Sequence, residues 1–220
     1  VVTGAAGAMG RAVVSFLQSD GLKVIGLDLR DGCVQCDVSD PAEVKKAIRE
    51  IGPVDVLVNN AGILSNNKAE ATTADEWHKV LGANLDGAFY LAREVIPGMK
   101  ARRWGRIVNT CSLAAKTGGL TAGTAYAASK GALTSLTFSL ARELAPFGIT
   151  VNGISPAYVN TPMVTEQLTE AQRQALVRQI PVGRFCEPEE FAHVVRFLVS
   201  PLAGFITGEI VDLNGGLVMD

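Results

Sequence analysis

The sequence predicts an α/β fold, a doubly wound parallel sheet covered by helices on both faces in three layers. Two observations carry that expectation. Strand-sized apolar runs alternate with helical patterns from end to end, and a Gly/Ala turn joins the first run directly to the first helix. No composition shift, linker or internal repeat divides the chain, so one domain over residues 1–220 is expected.

The elements follow in order. Val1-Val2-Thr3 read as the end of a first strand, so the chain is expected to extend a few residues upstream of Val1. A helix is predicted over residues 8–19, a second strand over 23–27 and a short third over 32–36. Pro41, behind Ser39 or Asp40 as cap, marks a helix start, because proline's missing N–H has no partner to lose in a first turn. That helix ends near Gly52, and residues 54–58 form the next strand. A long helical region begins at Thr73 or Ala74, with Pro97-Gly98 near its end. Residues 105–111 read as strand, and 126–144 carry the apolar periodicity of a packed helix. Strands over 149–154 and 209–213 complete the set, separated by helices around 166–177 and 188–199. Between Asp28 and Asp37 the connector is too short for a crossover helix. If strands two and three both join the parallel sheet, that link must be pared down.

Composition excludes several function classes. A formal charge of -2 gives no broad field to recruit nucleic acid or a membrane surface. No apolar stretch approaches the roughly 20 residues needed to span a bilayer, and no charged leader precedes one. Cys33 and Cys36 have CxxC spacing, but no second pair follows, and His78 and His193 are remote. The four cysteines read as small buried or half-buried residues of a reducing compartment. A cytoplasmic protein without a metal site is expected.

The turn Thr3-Gly4-Ala5-Ala6-Gly7-Ala8-Met9-Gly10 lies between strand and helix. Glycines there let the backbone approach a pyrophosphate, whose charge the N–H groups at the helix start would meet. Gly4, Gly7, Met9 and Gly10 are therefore candidate cofactor positions. Asp28 ends strand two at about the distance expected of a ribose-binding carboxylate, which would repel a 2′-phosphate and favour NAD over NADP. Arg30 reads as a solvated cation, although its charge would suit that extra phosphate. Asp37 faces the adenine or caps the next segment. Asn60, Ala61 and Gly62 follow a hydrophobic strand, where small residues leave a slot for adenosine and the amides tie strand ends together.

Tyr126 and Lys130 stand one helical turn apart, with Ser112 upstream. A phenol is a feeble acid near neutral pH, with a reference pKa of about 10, and a neighbouring ammonium is expected to lower it. With these motifs in order, the chain resembles a classical short-chain dehydrogenase/reductase from Val1 to about Gly216. The resemblance implies an active-site set of Asn84, Ser112, Tyr126 and Lys130. Tyr126 and Lys130 would also touch the cofactor, as would Pro156, Val159 and Thr161 in the motif after the catalytic helix. It further implies that Asn84 anchors a proton-carrying water; an ordinary helix bridge is the other reading. The tail from Ile180 through Gly216 resembles 3-oxoacyl carrier-protein reductases, whose helices pack into tetramers, so a homotetramer or homodimer is expected.

Three departures from the family pattern stand out. Glycine falls at Gly7 and not at Ala8, Ala157 replaces the usual glycine after Pro156, and the link after Asp28 is short. Residues 157–181 form a short substrate-loop region, and with 113–124 they suggest a small, largely apolar alcohol or ketone. Lys116 could reach an anionic tail. Lys100, Arg102, Arg103 and Arg106 read as a solvated face at the opposite sheet edge. The leading expectation is NAD(H)-dependent alcohol–ketone interconversion. An NADP(H)-dependent 3-oxoacyl reductase, an epimerase or dehydratase retaining NAD, and a non-catalytic dinucleotide sensor are the alternatives.

Overall fold

A computed structural model describes residues 1–166 and 168–219; Gln167, Asp220 and the side chains of Met163 and Thr165 lie outside the described residues. Its centre is a parallel sheet of seven strands in the order β3-β2-β1-β4-β5-β6-β7. The strands are β1 (Val2–Thr3), β2 (Gly26–Asp28), β3 (Val34–Gln35), β4 (Val56–Asn59), β5 (Gly105–Thr110), β6 (Ile149–Pro156) and β7 (Ile210–Leu213). The strand order reverses between β1 and β4, so a crevice opens beyond their carboxyl ends. This is the expected doubly wound sheet.

Alternation along the strands builds two cores. Leu57, Ile107 and Val151 face α2 (Pro41–Ile51), α4 (Gly87–Arg102) and α6 (Thr124–Leu144) through Val44, Leu91 and Leu144. Val56, Val58 and Val108 point the other way, onto α1 (Ala8–Ser19) and α9 (Pro188–Val199) through Val13, Phe191 and Leu198. Adjacent strand residues thus serve opposite layers, as a side-chain period of two requires. A buried polar chain pins α6 to the sheet. Asn59 Nδ2 donates to Asn109 Oδ1 at 2.9 Å, Asn109 Nδ2 to Thr137 Oγ1 at 2.9 Å, and Thr137 Oγ1 to the Leu133 carbonyl at 2.8 Å.

Several expected boundaries shift. Strand two begins at Gly26, three residues later than expected, and the third is only Val34–Gln35. Both nevertheless join the sheet in parallel, Leu27 beside Val34 and Asp28 beside Gln35. Residues 29–33 make that crossover without a helix. The long helical region is α3 (Ala74–Leu81), a π-helical turn (Gly82–Asp86) and α4, with Pro97 inside α4. The helix expected around 166–177 is α8 (Glu170–Val177), which starts four residues later and ends as expected; α7 (Pro162–Thr165) precedes that span, and Gln167, within it, lies outside the described residues. Thr169 caps α8 by accepting from Gln172 N, which sets the later start. An unexpected short helix, α5 (Ala114–Thr117), follows β5.

Asp40, rather than Ser39, caps α2, accepting from Ala42 N at 2.7 Å and Glu43 N at 3.3 Å. Asp40→Ala should lower the free energy of unfolding by about 1 kcal/mol in urea titrations, and an unchanged midpoint would refute this capping role.

Candidate active site

The turn after β1 sits against the turn after β4. Gly4 adopts φ +62°, and a side chain there would meet the Ala61 backbone at 3.0 Å. Thr3 Oγ1 accepts from Asn60 N and Ala61 N, each at 2.9 Å, while Asn60 Nδ2 donates to the Thr3 carbonyl at 3.0 Å. A Cβ on Gly10 would lie 2.1 Å from the Gly4 carbonyl oxygen, so α1 can approach the turn this closely only with glycine. Gly7 is the N-cap of α1 and offers no side-chain cap. The first-turn N–H groups are thereby left to an outside acceptor, and the positive end of the helix dipole favours an anion.

A cleft of about 430 Å³ opens here. Gly4, Gly7, Met9, Gly10, Asp28, Asp37, Asn60, Ala61, Gly62 and Thr161 all line it. Asp28 Oδ2 accepts from Ala6 N at 3.0 Å, and its Oδ1 accepts from Arg30 N and Nε at 3.1 and 3.2 Å. The Arg30 hydrogen bonds, with that from Ala6, outweigh partial burial and hold the Asp28 carboxyl below its ordinary pKa. Arg30 is exposed, as expected, but it lies across the cleft paired to Asp28. Asp37 lines the cleft with its Oδ1 engaged by Ser39 N and Oγ at 2.9 and 2.7 Å.

Ser112 and Tyr126 line a neighbouring pocket of about 100 Å³. Ile63 borders the cleft and Leu64 the pocket, so the two meet at that turn. Ser112 Oγ accepts from Ala114 N at 3.2 Å, on α5. The strand end of β5 sets Ser112, and the first turns of α6 present Tyr126 and Lys130 to the same region. Lys130 is buried, donates to the Thr110 carbonyl at 2.6 Å and lies 5.7 Å from the Tyr126 ring centroid. Its burial lowers its pKa from 10.5 to about 8.

Tyr126 departs from the sequence-based expectation. Burial raises the pKa of its phenol above the ordinary value, and a hydrogen bond with Ser112 only partly opposes this. Lys130 is not what governs it in this state, because an ammonium drawn to a backbone carbonyl cannot offset the phenol's own desolvation. Asn84, buried in the π-helical turn, accepts from Ile63 N at 2.8 Å and donates to the Ile63 carbonyl and Ser129 Oγ, both at 3.0 Å. It bridges the turn beside the cleft to α6. A Cβ on Gly62 would lie 3.0 Å from Asn84 Oδ1 and 3.6 Å from Lys130 Nζ, which ties cleft and chemistry together. Thr3 and Ser129 were given no individual role by the sequence; a hydroxyl just before the glycine turn, and one beside the Tyr–Lys pair, are the signals that point to them.

Residues 4–218 match the family described as enoyl-(acyl carrier protein) reductase. The 3-oxoacyl-[acyl-carrier-protein] reductases of Vibrio cholerae and Escherichia coli are each 37% identical, over 100% of this chain and 96% of theirs. Ligand-free aldohexose dehydrogenase of Thermoplasma acidophilum superposes with a TM-score of 0.91 at 35% identity, covering 98% of this chain and 92% of that one. A short-chain dehydrogenase/reductase of Brucella melitensis, named a glucose/ribitol dehydrogenase, does so at 0.91 and 34%, covering 100% and 96%. The chain belongs to the short-chain dehydrogenase/reductase family. It is an oxidoreductase of carbonyl and alcohol groups, in a family that uses a nicotinamide dinucleotide. These relatives are named for different substrates.

Other expected site residues of this family member are placed less directly. Pro156 ends β6, where its carbonyl accepts from Leu113 N at 3.0 Å and so anchors the segment after Ser112. Val159 is buried and bridges to Cys186, so of the three motif residues only Thr161 borders the cleft. Lys116 is paired with Asp212 at 2.6 Å. The basic cluster is not uniformly solvated. Arg106 is 3% exposed, donates to the Gly105 carbonyl at 2.9 Å and stacks on Trp104. Lys100 and Arg102 pair with Glu143 and Asp55. Cys33 and Cys36 are free thiols, and burial raises Cys36 to about 11.

The Lys130 geometry has a pH signature. Between about 8 and 10.5 the unfolded chain holds the proton that the folded one has lost, so this group's contribution to stability rises with pH through that window. Relative to Lys130→Met, the wild type should gain on the order of 3 kcal/mol across it in denaturant titrations; parallel pH profiles would contradict the burial account.

Proposed function

We propose that this protein interconverts a secondary alcohol and a ketone with NAD(H), one domain supplying both cofactor and substrate groups. One observation carries the reading: Ser112 and Tyr126 face a pocket that meets the glycine-rich cleft, with Lys130 behind them. The cleft fits a dinucleotide, because the uncapped start of α1, the backbone approach at Gly4 and Gly10, and the Asp28 carboxylate meet pyrophosphate and ribose in turn. Asn60, Ala61, Gly62 and Asp37 would border the adenosine half, and Thr161, with Val159 and Pro156 behind it, the nicotinamide half.

The bound nicotinamide supplies or takes the hydride. For reduction, Ser112 donates a hydrogen bond to the substrate carbonyl oxygen, where negative charge develops. Tyr126 gives its phenolic proton to that oxygen; for oxidation its phenolate takes the proton back. Lys130 spends one N–H on Thr110, leaving two for ribose hydroxyls and the phenolic oxygen. Asn84 acts as a positioning residue, its amide consumed in holding the turn beside the cleft to α6. Leu64, Leu113 and Val164 in the pocket support a small, largely apolar substrate.

NAD is favoured because Asp28 is already oriented by Ala6 N and kept ionised, ready to accept from ribose hydroxyls. The second reading is an NADP(H)-dependent 3-oxoacyl reductase, supported by Arg30 lying on Asp28 at the cleft and by the names of the bacterial relatives. Exposed Phe89 on α4 and Phe138 on α6 support assembly as a homotetramer or homodimer, and the free thiols support a cytoplasmic setting.

Tyr126→Phe should lower kcat by at least about 10²-fold while the cofactor dissociation constant stays within a few-fold; unchanged turnover would sink the assignment. Assayed in parallel, NAD should give a kcat/KM at least about tenfold above NADP, with Asp28→Ala narrowing that ratio. A preference for NADP that collapses in Arg30→Ala would establish the second reading instead.

A further inference from the structure

Beyond the pocket of Ser112 and Tyr126 lies a second one, of about 200 Å³, that the proposed chemistry does not use. The two share a wall, since Ala157 and Tyr158 line both. The far side is formed by Ile180, Val182, Leu213 and Gly215. Polar side chains there are already engaged. Arg184 and Glu190 form a two-pronged ion pair at 2.6 and 2.8 Å. Asn214 donates to the Val218 carbonyl and accepts from Gly216 N, both at 2.9 Å. The pocket therefore offers a ligand apolar contact and little else.

The partition is formed by Ala157 and Tyr158, and the tyrosine has a defined seat. Tyr158 stacks on Phe185 with ring centroids 5.7 Å apart, and its hydroxyl lies 3.3 Å from Thr121 Oγ1, on the far wall of the catalytic pocket. Thr121 is exposed, so that hydrogen bond exchanges readily for one to water. Ala157, where the family pattern carries glycine, adds a methyl to the same partition.

We infer that the second pocket receives an unbranched apolar substituent of the substrate, which passes Tyr158 while its carbonyl rests on Ser112 and Tyr126. This rests on the ketone-reductase reading and extends it to a substrate class, ketones with one small and one extended apolar arm. The occupant follows from the shared wall: a chain leaving a carbonyl at Ser112 reaches this pocket by displacing one ring. Each methylene withdrawn from water favours the bound state by an amount that corresponds to about a fourfold gain.

The test is kcat/KM for unbranched methyl ketones of rising chain length, in the wild type and in Val182→Trp. Val182 lines the pocket and is 59% exposed, so the larger ring leaves the core undisturbed, and a crystal structure of the variant verifies that the ring occupies the pocket. The wild type should gain about fourfold per methylene until the pocket is full. Val182→Trp should keep the short-chain rate within about twofold and lose most of the gain for longer chains. A chain-length slope identical in the two proteins, or a flat slope in the wild type, would overturn the inference while leaving the ketone-reductase reading intact. Turnover of no ketone by the wild type with either NADH or NADPH would overturn both.

Discussion

The buried ammonium of Lys130 is the constraint around which this active-site region is arranged. A charge with 3% exposure is costly unless hydrogen-bonded, and the Thr110 carbonyl at the end of β5 accepts from it at 2.6 Å. That contact fixes α6 against the sheet at one point. The rest of the helix is held by the Asn59–Asn109–Thr137 chain and by Ser129, which accepts from Asn84 and donates to the Tyr126 carbonyl at 2.8 Å. Tyr126 therefore does not choose its position. The strand ends choose it.

The same logic links the two halves of the site. Asn84 reaches Ile63 and Ser129 from a π-helical turn, a local widening that turns a helix residue inward. A side chain at Gly62 would crowd Asn84 Oδ1 at 3.0 Å and touch Lys130 Nζ at 3.6 Å. One residue further on, Ile63 and Leu64 border the cleft and the pocket respectively. A dinucleotide and a carbonyl compound would thus be aligned by a few backbone turns that share hydrogen bonds, and electrostatic preorganisation of that kind needs no large motion.

Much of this was legible in the sequence because its signals are local. The Gly4–Gly10 turn, the Asp28 strand end and the Tyr126–Lys130 pair each encode their placement within one turn or strand. Asp40 and Pro41 mark a helix start for the same reason. What was not legible depends on partners distant in sequence. The π-helical turn around Asn84 depends on Ile63 and Ser129, and the burial of Arg106 depends on carbonyls just before β6 and just after α9 as well as that of Gly105. Spacing reveals the charge beside Tyr126 but not the desolvation that outweighs it. The late start of the expected 166–177 helix turns on Thr169, whose side chain caps the backbone at the point where helix was expected to be already under way.

In this account the resting phenol keeps its proton, its acidity reduced by burial and partly restored by Ser112. The direct measurement is a pH titration of the Tyr126 Cζ resonance by carbon-13 NMR, without cofactor, in the wild type and in Ser112→Ala. Tyr126 should titrate above 10 in the wild type and higher still once the Ser112 hydrogen bond is removed. A midpoint at or below 10 that Ser112→Ala leaves in place would contradict it.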